Sequence, residues 1–233
     1  FNLYIPNTGV DHRIPKRNLF FLVHEFGHCV KLLWSDKLGQ ISLAVTTLFW
    51  GAGATLQFIV LKWAEVAMDY PLNQAAQLQG VVALGIAAGA IMAARWISLR
   101  QSVTVIPLGI AMGIVVMAMI LVTDLWIAII LLMLIGGLAG FFVVPMNALL
   151  QHRGHILMGA GHSIAVQNFN ENLSILVMLS LYALLVLFEV HIYIVIAVFG
   201  LFVSVMMTLV RKWHLSNQSK EDSLHLIGAR KEH

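Results

Sequence analysis

The chain has 233 residues, of which 60% are hydrophobic and only 11% charged, with a formal net charge of +3. Soluble domains carry about 25% charged residues, so this balance argues against a soluble enzyme, and the small positive charge is no nucleic-acid footprint. The mean hydropathy of +0.87 points to lipid as the solvent.

Residues 1–40 read as a polar cytoplasmic linker with one amphipathic helix at about 19–34. Leu19, Leu22, Val23, Phe26, Val30 and Leu33 recur at helical spacing, with His24, His28 and Lys31 on the opposite stripe; such a helix can lie in a membrane interface. Six apolar stretches then fill 41–210, at roughly 42–62, 75–94, 102–122, 125–148, 162–188 and 191–210. About twenty apolar residues at 1.5 Å rise cross the roughly 30 Å hydrocarbon core. Lipid offers the backbone no hydrogen bonds, so each stretch is expected to be a helix; a barrel would alternate apolar and polar residues instead. The predicted class is all-α, a polytopic bundle of six transmembrane helices, with a polar tail at 211–233.

The basic residues orient the bundle. Arg13, Lys16, Arg17, Lys31 and Lys37 precede the first span, and Arg95 and Arg100 flank the turn between the second and third. Arg153 falls in the expected loop between the fourth and fifth, and Arg211, Lys212, Lys220, Arg230 and Lys231 follow the sixth. Every Lys and Arg but Lys62 is therefore on one side, and the positive-inside rule makes that side cytoplasmic, with both termini on it. Trp63 and Trp126 read as interfacial anchors. The single cysteine, Cys29, allows no internal disulfide. No signal peptide is evident, and an opening on Phe1 reads as a segment of a longer protein.

Gly85 with Gly89, Gly109 with Gly113 and Gly136 with Gly140 each stand four apart, the spacing that lets helix backbones approach. Pro107 and Pro145 lie inside spans and are expected to bend them. His24-Glu25-Phe26-Gly27-His28 matches the zinc-protease pattern in which two imidazoles on one helix face hold the metal and Glu acts as base. That reading is rejected: the motif sits in the linker, its stripe already explains both histidines, and a third ligand is lacking. Neither catalysis nor a metal or other cofactor is expected.

Intramembrane polar groups are costly and mark function. The third and sixth spans have almost none and read as peripheral. The fifth carries Ser163, Gln167, Asn170, Glu171 and Ser174 on one helical face, widened by Asn168 and Asn172. Glu171 is about 15 Å into the span, close to the midplane. On the first span Thr47, Gly51, Thr55, Lys62 and Glu65 share a face, with Trp50 and Gln57 beside it. Lys62 is either a snorkelling lysine paired with Glu65 or an ammonium for an anionic headgroup.

The run QISLAVTTLFWGAGATLQFIVLKWAE (40–65), with QLQGVVALG (77–85) and GGLAGFFVVPMNALLQHRGHILMGAGHSIAVQNFNENL (136–173), resembles the bacterial lysophospholipid transporters of the major facilitator superfamily. The resemblance covers essentially the whole chain and aligns it with the C-terminal half, the central linker followed by the last six of twelve helices. It implies two six-helix bundles of inverted three-helix repeats with substrate between them, so the N-terminal six-helix half is an implied partner. It further implies movement of lysophosphatidylethanolamine and lysophosphatidylglycerol from the outer to the inner leaflet of the bacterial inner membrane. An acyltransferase/acyl-carrier-protein synthetase then restores the second chain. One departure is the turn Ala94-Arg95-Trp96-Ile97-Ser98-Leu99-Arg100, which lacks the superfamily's Asp. On this reading Lys62 and Gln57 attract the phosphate. Gln167, Asn168, Asn170, Glu171 and Asn172 receive the headgroup, Glu171 meets the ammonium, and Trp50 bounds the pocket. A small-solute or drug transporter of the same superfamily and a non-transporting scaffold for the acyltransferase are the alternatives.

Overall fold

A computed structural model of the chain describes residues 19–220 together with Ile227. The rest of the expected linker and tail lies outside these residues. Seven helices follow in order: α1 (Leu19–Ser35), α2 (Lys37–Met68), α3 (Leu72–Trp96), α4 (Ile106–Met117), α5 (Leu125–Met158), α6 (Ala160–Leu187) and α7 (Ile192–Lys220). No strand occurs among the described residues. Helices α2 to α7, with tighter 3₁₀ turns at Leu99–Val105 and Ala118–Leu121 extending α4, make six segments long and apolar enough to cross a membrane.

Local chemistry sets the boundaries. Asp36 caps α2 by accepting the Gly39 N–H at 2.7 Å, and Asp124 caps α5 by accepting from Trp126 and Ile127 at 2.9 and 3.1 Å; each satisfies amides that a helix start leaves unpaired. α5 and α6 are separated only by Gly159, whose φ of 81° is a conformation open to glycine. Pro107 does not interrupt its span. It stands in the first turn of α4, where a missing N–H costs nothing. Among the described residues Pro145 alone is helix-interior, within α5.

Three helix pairs dominate the packing: α3 lies along α5, α4 along α7 and α2 along α6. Glycines make the first two crossings close. A Cβ on Gly85 or Gly89 would meet the α5 backbone at Met133, Gly137 or Phe141, and one on Gly136 or Gly140 would meet the α3 backbone at Val82, Ile86 or Ala90. Gly113 approaches Gly200 and Ser204 of α7 in the same way. The small-residue pairs read from the sequence are thus contact surfaces.

Two expectations change. Trp63 is not an interfacial anchor: it is fully buried, and its Nε1–H donates to the Met119 carbonyl at 2.9 Å, fastening α2 to the end of the third span. Trp126 is exposed at the start of α5. Arg153 is not in a loop but in α5, buried, and its Nε and Nη2 donate to Asp36 Oδ1 and Oδ2 at 3.1 and 2.5 Å. The positive-inside count therefore includes one residue whose charge serves an ion pair.

α1 docks on the bundle through Phe26, Cys29, Val30 and Leu33, which pack with Leu43, Leu150 and Val166. Leu22 and Val23, expected on its apolar face, are exposed because only the later turns reach the bundle. Burial, and secondarily the Glu25 carboxylate, push the Cys29 thiol above its ordinary range. His24 and His28 are exposed, and Glu25 faces His162 of α6 at 3.7 Å. Among the described residues no three His, Cys, Asp or Glu converge as a metal site.

Candidate functional site

α6 is the least buried of the six spans, yet Ser163, Gln167 and Glu171 on it are buried. They point inward to α2 and α5. Gln167 Nε2 donates to Glu171 Oε1 at 2.8 Å and to Asn147 Oδ1 of α5 at 3.1 Å. The Thr46 hydroxyl and Trp50 indole of α2 approach the same carboxyl. A carboxylate that accepts from Gln167 of its own helix and is approached by two donor side chains of α2 is a polar island in an apolar bundle.

Backbone proximity makes this cluster possible. A Cβ on Gly51 would run into Ser174, so α2 and α6 nearly touch at that level. Thr55 folds its hydroxyl back to the Gly51 carbonyl at 3.0 Å. Thr47 Oγ1 is buried without a hydrogen-bond partner. It lines a cleft of about 630 Å³ with Asn170, Ser174 and apolar residues of α6 and α7.

Apart from Gln57, the candidate residues separate into three places. Gln167, Glu171 and Trp50 come together. Asn170 donates to the Val166 carbonyl at 2.8 Å and stands at the edge of the cluster. Asn168 and Asn172 are exposed, and Asn172 donates to the Asn168 carbonyl at 2.7 Å, so both belong to the outer surface of α6. Lys62 is farther off: twelve residues beyond Trp50 on α2, it is about 18 Å along the helix. It is half-exposed, bound to Glu65 at 3.0 Å, and borders a pocket of about 460 Å³ with Phe58, Tyr70 and Pro71.

A third cavity, of about 750 Å³, opens between α2 and α3. Trp50 and Gln57 line it, as does Gln79, whose Nε2 donates to the Gln57 carbonyl at 2.8 Å. Trp50 is thus shared between the polar cluster and an apolar cavity.

Over 186 residues, 79% of its length, the chain is 44% identical to the lysophospholipid transporter LplT of Serratia proteamaculans (strain 568). Over 187 residues, 80% of its length, it is 43% identical to the LplT proteins of Escherichia coli O1:K1 / APEC and Escherichia coli O45:K1 (strain S88 / ExPEC). The chain is a homologue of the LplT lysophospholipid transporters. It spans about half the length of these curated relatives, 47% of each. No family model matches the chain, and no solved structure matches it.

Beside the LplT resemblance, two residues of the cluster escape a reading from sequence. Asn147 lies in a span otherwise read for its glycines, and its only signal is a polar amide two residues after the helix-interior Pro145. Thr46 lies one residue from Thr47, the threonine that periodicity favours; it is Thr46 that approaches Glu171.

Proposed function

We propose that this chain is the C-terminal six-helix half of a major facilitator superfamily transporter that flips lysophospholipids from the outer to the inner leaflet of the bacterial inner membrane. The observation that carries the reading is the buried Gln167–Glu171 pair, bonded to the half-buried Asn147 and joined through Trp50 to an uncharged cavity. A lysophospholipid needs both: its headgroup cannot cross hydrocarbon without polar partners, and its acyl chain needs none.

The pairing of α2 with α6, α3 with α5 and α4 with α7 supports the superfamily assignment. Taken as two triplets, α2–α4 and α5–α7, the pattern maps onto itself when the triplets are exchanged. An odd number of spans per triplet makes the copies run oppositely, as in inverted repeats. In this transporter the exposed side of α6 faces an N-terminal six-helix half. Arg95, Arg100, Arg211 and Lys212 keep the linker and tail on the cytoplasmic side. There an acyltransferase/acyl-carrier-protein synthetase consumes the delivered lysolipid.

Lys62, freed from Glu65, recruits the phosphate at the outer end of α2, and Gln57 lies on the way inward. Glu171 receives the ammonium of lysophosphatidylethanolamine, with Gln167 bonded to the carboxylate and Asn147 holding Gln167 in place. Asn170 borders that site; Asn168 and Asn172 face the opposing half. Uptake of labelled lysophosphatidylethanolamine by cells carrying the intact protein tests this. Glu171→Gln is expected to lower uptake at least about tenfold, the loss of one charge-assisted contact of 1.5–3 kcal/mol. Lys62→Ala lowers the apparent affinity, and His24→Ala leaves uptake unchanged. Full uptake by Glu171→Gln at equal membrane expression refutes the site.

A further inference from the structure

We infer that the cavity between α2 and α3 is a slot for the single acyl chain of the transported lysolipid, a deepening that rests on the transport reading above. Its volume of about 750 Å³ lies within the 300–1,000 Å³ typical of ligand sites. The exposed Gln57 and half-buried Gln79 mark its mouth, and the buried Met112, Ile135 and Phe199 of α4, α5 and α7 mark its inner end. No lining residue is charged. A phosphate or ammonium drawn inside would be desolvated without a partner, whereas an alkyl chain only gains by leaving water.

Two glycines sharpen the assignment. The glycines of the α3–α5 crossing are pressed against a neighbouring backbone. Gly53 of α2 and Gly80 of α3 also line the cavity, and a Cβ on either would meet nothing within 4 Å. Glycine inside a helix costs about 1 kcal/mol relative to alanine, and at these positions packing against the other helices of this half does not account for it. What the missing side chains leave is open width along the cavity wall.

α2 and α3 contact each other, and the cavity runs inward from them to residues of α4, α5 and α7, whereas a helix with its side chains is about 10–12 Å across. An alkyl chain is thin enough to enter. Trp50 forms the wall common to the slot and the Glu171 cluster, so a molecule with one charged head and one chain can occupy both at once.

The test is uptake by the intact protein of lauroyl, palmitoyl and stearoyl lysophosphatidylethanolamine, comparing Gly53→Leu and Gly80→Leu with Gly27→Leu. Gly27 has equal space around it but lies on α1, away from the slot. Both slot variants are expected to cut stearoyl uptake about tenfold, an overpacking effect, and to leave lauroyl uptake near that of the parent. Loss that is equal for all chain lengths, or no loss, overturns the slot. A second measurement uses the unsubstituted protein in membranes. A palmitoyl lysolipid with a photoreactive diazirine at the chain end should label Met112, Ile135 or Phe199, and unlabelled lysolipid should compete. Labelling elsewhere, or equal competition by diacyl lipid, means that bulk lipid fills the cavity and overturns the proposal. Competed labelling of these residues without uptake by the parent keeps the slot and discards the transport reading; absence of both removes both.

Discussion

The carboxylate of Asp36 performs two functions at once. One oxygen caps α2 through the Gly39 amide, and the pair together receives Arg153 from the far end of α5. Both side chains are nearly closed to solvent. Removing one partner of a buried pair strands the other charge, so Arg153→Leu should destabilise by about 3–5 kcal/mol. Arg153→Leu with Asp36→Asn should recover much of that loss, because the amide keeps an oxygen for the cap. Thermal unfolding of the detergent-solubilised protein measures both. A double variant no more stable than Arg153→Leu would show that the ion pair is not the source. The pair was not legible in the sequence: Asp36 and Arg153 are separated by four spans, and each alone resembles an ordinary interfacial charge. Glu171 was legible, because a carboxylate deep in an apolar run has few structural reasons to be there.

At the scale of the helix, the informative glycines are of two kinds that sequence spacing does not distinguish. Gly89 is pressed onto the backbone of Gly137 and Phe141, while Gly80, on the same helix, borders open space. Gly89→Leu should therefore prevent α3 from seating on α5, whereas Gly80→Leu should leave the fold intact. Size-exclusion profiles of the two solubilised variants decide this; a monodisperse Gly89→Leu protein would contradict the packing described. The six spans themselves were readable because an unbroken apolar run of bilayer length has one solution in lipid. Inward-facing side chains were harder to read. Trp63 has the residue type and near-terminal position of an interfacial anchor, and only its tertiary bond to Met119 draws it into the core. Asn168 and Asn172 were grouped with Glu171 by helical spacing, yet a helix with polar residues on more than one side does not state which side is buried.

Across the whole molecule, the order of pairing matters more than any one contact. α2 and α3 are adjacent in sequence, but their main partners are α6 and α5. The bundle is therefore interleaved, and neither triplet is complete alone. A chain truncated after Met158 keeps the α3–α5 crossing and leaves α2 and α4 without their principal partners. It should insert in membranes but be degraded or protease-sensitive, and co-expression of the segment from Gly159 onward should restore resistance. Protease resistance of the truncated chain by itself would show that the α2–α6 and α4–α7 seams contribute little.

Interleaving also has a consequence in time. Gly51 of α2 meets Ser174 of α6, which emerges from the ribosome roughly 120 residues later, about 6–25 s at 5–20 residues per second. Throughout that interval the strip of α2 bearing Thr46, Gly51 and Thr55 has no α6 to cover it. A nascent chain in this state is a natural client for whatever holds half-made membrane proteins at the site of synthesis. Slow codons placed between α5 and α6 would lengthen that exposure.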